Sequence, residues 1–159
     1  MEYTDILINI RKILRSINLE SKRVQKEYGI SIPQYLCLNF LNHQPEYKAT
    51  STEIKKHLNL NASTVTGIIS RLESRGYIAK LPNEVDKRST YIYLTALGEK
   101  TVNTIPALSH EKLSEKLKNL SQNDLSKVQS SLELLVQFME VESIDASPLI
   151  TSDDKIDFE

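Results

Sequence analysis

The sequence predicts a mainly α-helical protein with one small β-hairpin. Glycine and proline are few, four and five in 159 residues, which favours helices over sheets. Apolar residues recur at alternating steps of three and four along several stretches, as they do on the buried face of a helix. Two short segments rich in β-branched and aromatic residues flank a turn-forming segment, which is the pattern of a hairpin. The length fits one domain, or one domain with an appendage.

Composition excludes several classes of protein. Hydrophobic residues at 40% and charged residues at 26% are typical of a globular chain rather than a disordered one. No apolar run approaches the ~20 residues that cross a bilayer, so we expect a soluble, cytoplasmic protein without a membrane partner. Cys37 is the single cysteine, which excludes an intramolecular disulfide and a cysteine-based zinc cluster.

The charges are unevenly distributed, although the formal net charge is only -1. Residues 140–159 hold seven acidic side chains and one basic side chain, a net of -6. Residues 48–88 hold eight basic and four acidic side chains, a net of +4. A positive stretch inside a nearly neutral protein favours a nucleic-acid partner for that stretch.

Two helices are predicted before residue 45. The first runs from Thr4 to Tyr28 and carries two neighbouring apolar stripes. The first stripe consists of Leu7, Ile10, Leu14, Ile17 and Val24, and the second of Ile6 and Ile13. Because this face is wider than one buried seam needs, we expect a second surface to cover it. Gly29 ends the helix, and Ser31 with Gln34 forms a capping box for a second helix that is apolar nearly all round.

A helix-turn-helix is predicted from residue 50 onward. The polar run from Asn42 to Ala49 reads as a loop, after which Thr50 and Glu53 match a capping box for a short helix. Asn59 ends that helix and Asn61 can cap another, so only a tight turn separates the two.

The second of these helices has one apolar face and one plain polar face. The apolar face, which we expect to be buried, consists of Val65, Ile68, Ile69 and Leu72. The opposite face consists of Ser63, Gly67, Ser70 and Ser74, flanked by Thr66 and Arg71. Every side chain that points outward near the N-terminus of this helix is therefore small or hydroxylated. Gly76 is predicted to close the helix as its C-cap.

The hairpin follows directly. Tyr77 to Leu81 and Thr90 to Leu94 are the predicted strands, and the polar segment between them carries Asp86, Lys87 and Arg88 at its tip. A helix, a turn, a second helix and a hairpin, in this order, make a winged helix-turn-helix, in which the hairpin is the wing.

Two further helices are predicted after the hairpin. Thr95 caps the first, which Pro106 should kink or locally unwind because proline removes an amide donor. Ser121 and Asp124 cap the last helix. Its apolar seam consists of Leu125, Val128, Leu132, Leu135 and Met139. Residues 1–140 are predicted to form one domain, and the acidic residues 141–159 a largely disordered tail.

The winged segment resembles the MarR family of bacterial transcriptional regulators. The resemblance rests on NASTVTGIISRLESRGYI from Asn61 to Ile78, followed by DKRSTYIYLT from Asp86 to Thr95. It implies a homodimer in which residues 4–45 and 96–140 of both chains form dimerisation helices, with a winged DNA-binding module at residues 48–95 on each side. The implied partner is double-stranded DNA with a palindromic site, whose half-sites lie ~34 Å apart, one helical turn.

The predicted DNA-binding residues lie on the second helix of the module and on the wing. They are Ser63, Thr64, Thr66, Gly67, Ser70, Arg71, Arg75, Lys80, Asp86, Lys87 and Arg88. The helix hydroxyls would meet phosphates and base edges in the major groove, and Gly67 would allow close backbone approach where many relatives carry arginine. The helix arginines and the lysines suit phosphates. Arg88 resembles the family's wing arginine, which enters the minor groove, and Asp86 would orient it through a charge-assisted hydrogen bond.

Each of these features also has a purely structural explanation. Hydroxyl side chains are common at the start of any helix, and on that ground alone a DNA-binding role for them is about as plausible as a capping role. Asp86 and Arg88 could be an ordinary exposed pair, which usually stabilises a protein by about 0 to 1 kcal/mol.

The resemblance also implies a small aromatic or anionic effector in a crevice between the dimerisation helices and the winged module. The predicted ligand-binding residues are Arg15, Tyr28 and Tyr35, although tyrosines at such positions more often belong to a core or an interface. Residues 18–23 and 32–35 look similar to the branch of the family that controls compatible-solute operons. That likeness would make ionic strength itself the signal, because phosphate contacts depend steeply on salt.

Other kinds of site have less support. Cys37 suits either a peroxide sensor or, amid its apolar neighbours, an inert buried thiol. The family's peroxide sensors carry their cysteine in the first helix, which has none here. The three histidines lack metal-ligand spacing, so we expect no metal site and no cofactor. Without a glycine-rich phosphate loop or a nucleophile paired with a base, we do not expect an enzyme.

The predicted function is therefore a DNA-binding transcriptional regulator, a repressor that a small ligand or another signal releases. The alternative is a winged-helix module that binds other proteins and has no specific DNA site.

Overall fold

The computed structural model describes residues 2–144, which form seven α-helices and a three-stranded antiparallel sheet. The helices are α1 (Tyr3–Tyr28), α2 (Ile32–Asn42), α3 (Ser51–Leu58), α4 (Ala62–Ser74), α5 (Ala96–Thr104), α6 (Ser109–Lys118) and α7 (Gln122–Phe138). The strands are β1 (Lys48–Thr50), β2 (Ile78–Pro82) and β3 (Thr90–Leu94), in the order β1-β3-β2. The predicted fold class, mainly helical with a winged helix-turn-helix, is confirmed.

The chain divides into two compact units. The first ends at Pro106 and contains the helix-turn-helix and the sheet, and the second begins at Ala107 and contains α6 and α7. The predicted acidic tail lies outside the described residues from position 145 onward. The assignment of residues 1–140 to one domain, with dimerisation helices at either end, stays a prediction.

The core of the first unit is built around α2. This helix is apolar nearly all round, as predicted, and seven of its eleven residues are buried. Leu38 and Leu41 are fully buried with Ile54 of α3 and Leu72 of α4. The winged module is therefore assembled on α2, which gives α3 and α4 a fixed support.

The predicted helix caps are present. Ser31 Oγ accepts from the Gln34 amide at 3.3 Å, and Gln34 Oε1 accepts in return from the Ser31 amide at 3.0 Å. Thr50 and Glu53 form the same reciprocal pair at the start of α3. Such bonds satisfy amides that have no partner inside the helix. They involve only residues three positions apart, which is why the sequence predicts them well.

The sheet contains a strand that the sequence analysis missed. The segment from Asn42 to Ala49 was predicted to be a loop throughout, but Lys48–Thr50 is β1 and pairs with β3, with Ala49 opposite Ile92. Both of these residues are 2% exposed. Three residues are too few to show an alternating pattern, and their partner lies more than 40 positions away. The hairpin strands agree with the prediction except that β2 begins at Ile78 and ends at Pro82.

Pro106 separates two helices instead of kinking one. The helix that Thr95 caps ends at Thr104, and α6 begins anew at Ser109. Leu108, just before α6, is fully buried, and its amide donates to a Glu111 carboxylate oxygen at 2.7 Å. The predicted local interruption of the helix at Pro106 is therefore present, but it separates two helices, because the backbone stays non-helical from Ile105 to Leu108.

Apolar side chains remain exposed on the helices outside the winged module. On α1, Leu7, Ile13 and Leu14 are 48%, 59% and 54% exposed. No residue of α6 or α7 is buried, and Leu132 of the predicted seam is 53% exposed. The predicted apolar faces therefore exist, but this single chain leaves much of them uncovered, with Val24 of the α1 stripe as a buried exception. Within residues 2–144 no helix combines the length and the apolar character that crossing a bilayer requires.

Candidate nucleic-acid interface

The turn between α3 and α4 is as tight as the sequence predicts. Asn59 ends α3 in the left-handed conformation with a φ of 53°, which asparagine tolerates better than most residues. Leu60 is buried, at 4% exposure, and anchors the turn. Asn61 Oδ1 then accepts from the Thr64 amide at 2.8 Å and caps α4. Two asparagines and one leucine thus fix how α4 leaves α3.

The buried face of α4 is the predicted one. Val65, Ile68, Ile69 and Leu72 are each at most 4% exposed. The structure exposes most of the predicted DNA-binding residues and half-buries two of them. The exposed set is Ser63, Thr66, Ser70, Arg71, Arg75, Lys80, Asp86, Lys87 and Arg88, and the half-buried set is Thr64 and Gly67. We call α4 the recognition helix, because its outer face is available to a ligand as large as a duplex.

Two hydroxyls on the recognition helix donate inside the protein. Ser63 Oγ donates to Asn61 Oδ1 at 2.8 Å, and Thr66 Oγ1 donates to the Ala62 carbonyl at 2.8 Å. In this arrangement the two oxygens offer only acceptor lone pairs to a ligand. Exposed acceptors match the amino groups of adenine and cytosine in the major groove, whereas phosphates need donors.

Gly67 is not required by the packing of the protein. A Cβ atom built at this position meets no heavy atom within 4 Å, and the residue lies in regular helix. Gly98 contrasts with it, because a Cβ there would lie 2.2 Å from the Tyr77 carbonyl oxygen. The fold thus needs glycine at position 98, where α5 approaches the start of β2, but not at position 67.

The cations of this module differ in their availability. The Lys80 ammonium lies 2.8 Å from a Glu73 carboxylate oxygen. The Arg75 guanidinium hydrogen-bonds the Gly29 carbonyl through Nη1 and the Tyr77 hydroxyl through Nη2, the latter at 3.3 Å. Both side chains therefore have partners within the protein, which the sequence alone did not reveal.

The wing tip is held together by Asn83, a residue that the sequence analysis did not single out. Asn83 is only 8% exposed, and its Oδ1 accepts from the amides of Val85 and Asp86 at 3.0 and 3.2 Å. Its Nδ2 donates to Ser89 Oγ at 2.9 Å. The signal that could have revealed it is the Pro82-Asn83 dipeptide at the strand end, since asparagine often bonds the backbone two residues on.

Asp86 does organise the tip, but through the backbone. Its Oδ1 accepts from the Arg88 amide at 3.0 Å, whereas the predicted bond was to the Arg88 side chain. Among residues 2–144 the Arg88 guanidinium has no hydrogen-bond or ion-pair partner. The wing therefore presents a cation that is exposed and free to bind an anion.

The predicted ligand-binding residues do not form a cluster. Arg15 lies on the surface of α1, where it lines a shallow groove with Ile8, Arg11 and Lys12. Tyr28 lies thirteen positions further along the same helix, which corresponds to about 20 Å along its axis. Tyr35 is 3% exposed and belongs to the core.

Cys37 and the histidines form no reactive or metal-binding group. Cys37 is fully buried, and burial raises the pKa of its thiol to about 12. A neutral, inaccessible thiol is a poor nucleophile, which agrees with the inert reading. No group of three or more potential metal ligands occurs in the part of the chain that the structure describes.

Comparison with known proteins gives a consistent picture. Residues 30–90 match the model of the MarR family. The uncharacterized HTH-type transcriptional regulator YfiV of Bacillus subtilis is 27% identical over 139 residues, which cover 87% of this chain and 86% of YfiV. The HTH-type transcriptional repressor IacR of Pseudomonas putida is 24% identical over 119 residues, 75% of this chain and 70% of IacR.

A solved structure shares the fold. The MarR family regulator Sco3205 of Streptomyces coelicolor, crystallised in complex with DNA, aligns with a TM-score of 0.63 at 17% identity. The alignment covers 95% of this chain and 96% of Sco3205. At that identity the likeness establishes the fold alone.

Proposed function

Because this chain belongs to the MarR family of DNA-binding transcriptional regulators, as its match over residues 30–90 indicates, we propose that it is a repressor that binds a palindromic operator as a homodimer and leaves it on a signal. One observation carries the proposal. The same compact unit presents a recognition helix with exposed acceptors and an unneeded glycine, and a wing with a free guanidinium at Arg88. Repressor action is suggested by the name of the relative IacR.

The recognition helix would enter the major groove by its N-terminal half. Ser63 and Thr66 would accept from base amino groups, and Gly67 would let the backbone approach the bases. Arg88 would enter the neighbouring minor groove, and Lys87 would bind a phosphate.

The remaining candidates have smaller roles in this scheme. Lys80 could bind a phosphate only by leaving Glu73, and Thr64, Ser70 and Arg71 would lie at the edge of the contact. We exclude Arg75 from the contacts, because its guanidinium is already bound within the protein.

A second copy of the chain would cover the exposed apolar faces. α1 exposes Leu7, Ile13 and Leu14, and α7 exposes Leu132 and Phe138, the last of these by 72%. Several exposed apolar side chains close together on a helix are typical of a subunit interface. A two-fold symmetric dimer would place two winged modules on two half-sites ~34 Å apart.

The signal would act at the dimerisation helices, where α1 carries a shallow groove. The groove beside Arg15 carries three cations and an isoleucine, which suits a small amphipathic anion. Tyr28 and Tyr35 do not line that groove, so Arg15 and the two tyrosines of one chain would not belong to the same ligand site. Ionic strength is the alternative signal, because each phosphate contact makes DNA binding more salt-dependent.

The first test is selection of bound genomic fragments by the purified protein, repeated at several salt concentrations and with aromatic and aliphatic carboxylates as probes. The proposal predicts enrichment of a palindromic sequence. Absence of any DNA binding at low salt, where even non-specific binding is strong, would favour the protein-interaction module instead.

The second test is Arg88→Ala, with Lys112→Ala as a control that removes one positive charge from exposed α6. Loss of one phosphate or minor-groove contact should weaken operator binding and lower the slope of log K against log salt by about 0.9. Lys112→Ala should change neither. Equal slopes for the wild type and Arg88→Ala would remove the wing from the interface.

A further inference from the structure

The guanidinium of Arg75 joins three elements of the first compact unit. Nη1 donates to the carbonyl of Gly29, the residue that ends α1, and Nη2 donates to the hydroxyl of Tyr77, just before β2, at 3.3 Å. The Arg75 Cζ atom also lies 5.1 Å from the centroid of the Tyr77 ring. Arg75 itself is the C-cap of the recognition helix. One side chain therefore connects the end of α1, the end of α4 and the start of the wing.

The backbone around Arg75 is itself a junction. Gly76 has a φ of 76°. Its amide donates to the backbone carbonyl of Glu73 at 2.9 Å, and the Tyr77 amide donates to the backbone carbonyl of Leu72 at 3.0 Å. This Schellman pair ends the recognition helix one residue earlier than the predicted cap at Gly76. Thr95 adds a further bond, from its Oγ1 to the Gly76 carbonyl at 2.7 Å. A rigid turn thus holds the base of the Arg75 side chain in place.

Gly29, whose carbonyl accepts the hydrogen bond from Arg75, is restricted in its backbone conformation and closely approached by the guanidinium. Gly29 adopts a φ of 69°, which a side chain would strain, and a Cβ built there would lie 3.2 Å from Arg75 Nη2. The carbonyls at the end of α1 lack partners within the helix and carry its partial negative charge. A planar guanidinium can bind such a carbonyl and a second acceptor at once, which an ammonium on a flexible stem does poorly.

We propose that Arg75 is a positioning residue that fixes the angle between α1 and the recognition helix, and is not a contact to DNA. Through this link the winged module is held in one orientation relative to α1. If α1 contributes to the dimer interface, as proposed above, the same link sets the distance between the two recognition helices. That last step rests on the proposed function, whereas the orientation itself does not.

The orientation can be measured without DNA. Spin labels on Lys22→Cys in α1 and Ser70→Cys in α4 report the distance between the two helices, with Cys37 buried and left in place. Diluting labelled chain into excess unlabelled chain confines each pair of labels to one molecule. We expect a single narrow distance distribution with Arg75 present, and a shifted or broadened one in Arg75→Gln.

Matched variants separate the effect of the guanidinium geometry from the effects of the Tyr77 acceptor and of losing a charge. Arg75→Lys keeps the charge but should broaden the distribution as well, since lysine cannot bind both acceptors in one plane. Tyr77→Phe, which removes one acceptor, should have a smaller effect of the same kind. Lys56→Gln, a charge loss on exposed α3, should have none. Circular dichroism verifies that every variant is folded. If Arg75→Gln does not fold, Arg75→Lys and Tyr77→Phe provide the test.

DNA binding supplies the second readout. On the selected operator, and on versions with the half-sites moved by one or two base pairs, Arg75→Gln should bind the best spacing roughly fivefold or more weakly. It should also discriminate less between spacings, with its salt slope unchanged. An equal loss of affinity at every spacing, as a merely less stable variant would show, would overturn the claim that the link sets the distance between the two recognition helices.

Two further results would overturn the positioning role itself. One is an unaltered distance distribution in Arg75→Gln and Arg75→Lys, and the other is a fall in the salt slope of about 0.9, the mark of a lost phosphate contact. If the wild type binds no DNA at all, the proposed function fails, but the distance measurement still decides the role of Arg75.

Discussion

Replacement of Gly67 by alanine should stabilise the protein and weaken its binding to DNA. The position lies in the interior of the recognition helix, and a Cβ atom there meets no heavy atom within 4 Å. Alanine is favoured over glycine in a helix by about 0.8 to 1.0 kcal/mol. With no contact to offset that gain, the first compact unit should unfold roughly 2 to 8 °C higher.

The same methyl group would lie between the helix and the bases if Gly67 faces the major groove. Inserting one methylene into a close-packed contact typically costs about 1 to 3 kcal/mol. Since 1.4 kcal/mol corresponds to a factor of ten, operator affinity should fall by roughly tenfold. The variant would then be more stable and less active, a combination that general damage to the fold does not produce.

Thermal unfolding followed by circular dichroism and operator titration at fixed salt would measure the two effects. Gly98→Ala is the matched control, because its Cβ would lie 2.2 Å from the Tyr77 carbonyl oxygen and should lower stability. A Gly67→Ala variant with unchanged stability would contradict the open surroundings of this site. Unchanged operator affinity would show that the helix does not approach DNA through Gly67.

Three other experiments give independent tests. Asn83→Ala removes the acceptor for two tip amides and should weaken operator binding. Urea unfolding should show a loss of about 1 to 3 kcal/mol in stability, the cost of unmade buried hydrogen bonds. Asn83→Asp, which keeps the acceptor, should retain more of the operator affinity and more of the stability. Cys37, whose pKa burial raises to about 12, should resist a thiol reagent and peroxide at neutral pH until the protein is unfolded, and rapid modification of the folded protein would contradict its burial. Partial burial lowers the pKa of His57, which stacks on Phe40 with ring centroids 4.2 Å apart, so the unfolded chain binds the proton more readily. The free energy of unfolding should therefore fall as the pH drops through about 6.5, and His57→Gln should flatten that dependence.

Local sequence patterns predict the parts of this fold that depend on neighbouring residues. The buried face of the recognition helix follows from helical spacing, and the cap of Ser31 on Gln34 follows from a reach of three positions. β1 could not be predicted in this way, because its burial depends on pairing with β3. The split at Pro106 accompanies the full burial of Leu108, which helical spacing does not reveal.

In the candidate site, too, the features set by neighbouring residues could be predicted and those set by distant residues could not. Exposure of the wing tip and of the outer helix face followed from the sequence. Arg75 looked like a cation for phosphate because its partner, the Gly29 carbonyl, is 46 positions away in the chain. Asp86 was correctly linked to Arg88, but the choice between its amide and its guanidinium depends on how Asn83 folds the tip.

The wing tip separates the residues that shape it from those that it displays. Asn83, Asp86 and Ser89 hold the loop through bonds to backbone atoms and to one another, whereas, within residues 2–144, the side chains of Lys87 and Arg88 make no hydrogen bond. Substitutions at these two positions should leave the loop conformation and its stability nearly unchanged. Under the proposed function, mutation would alter what the wing binds one residue at a time, which would make this loop a suitable place for natural divergence or laboratory evolution of operator preference.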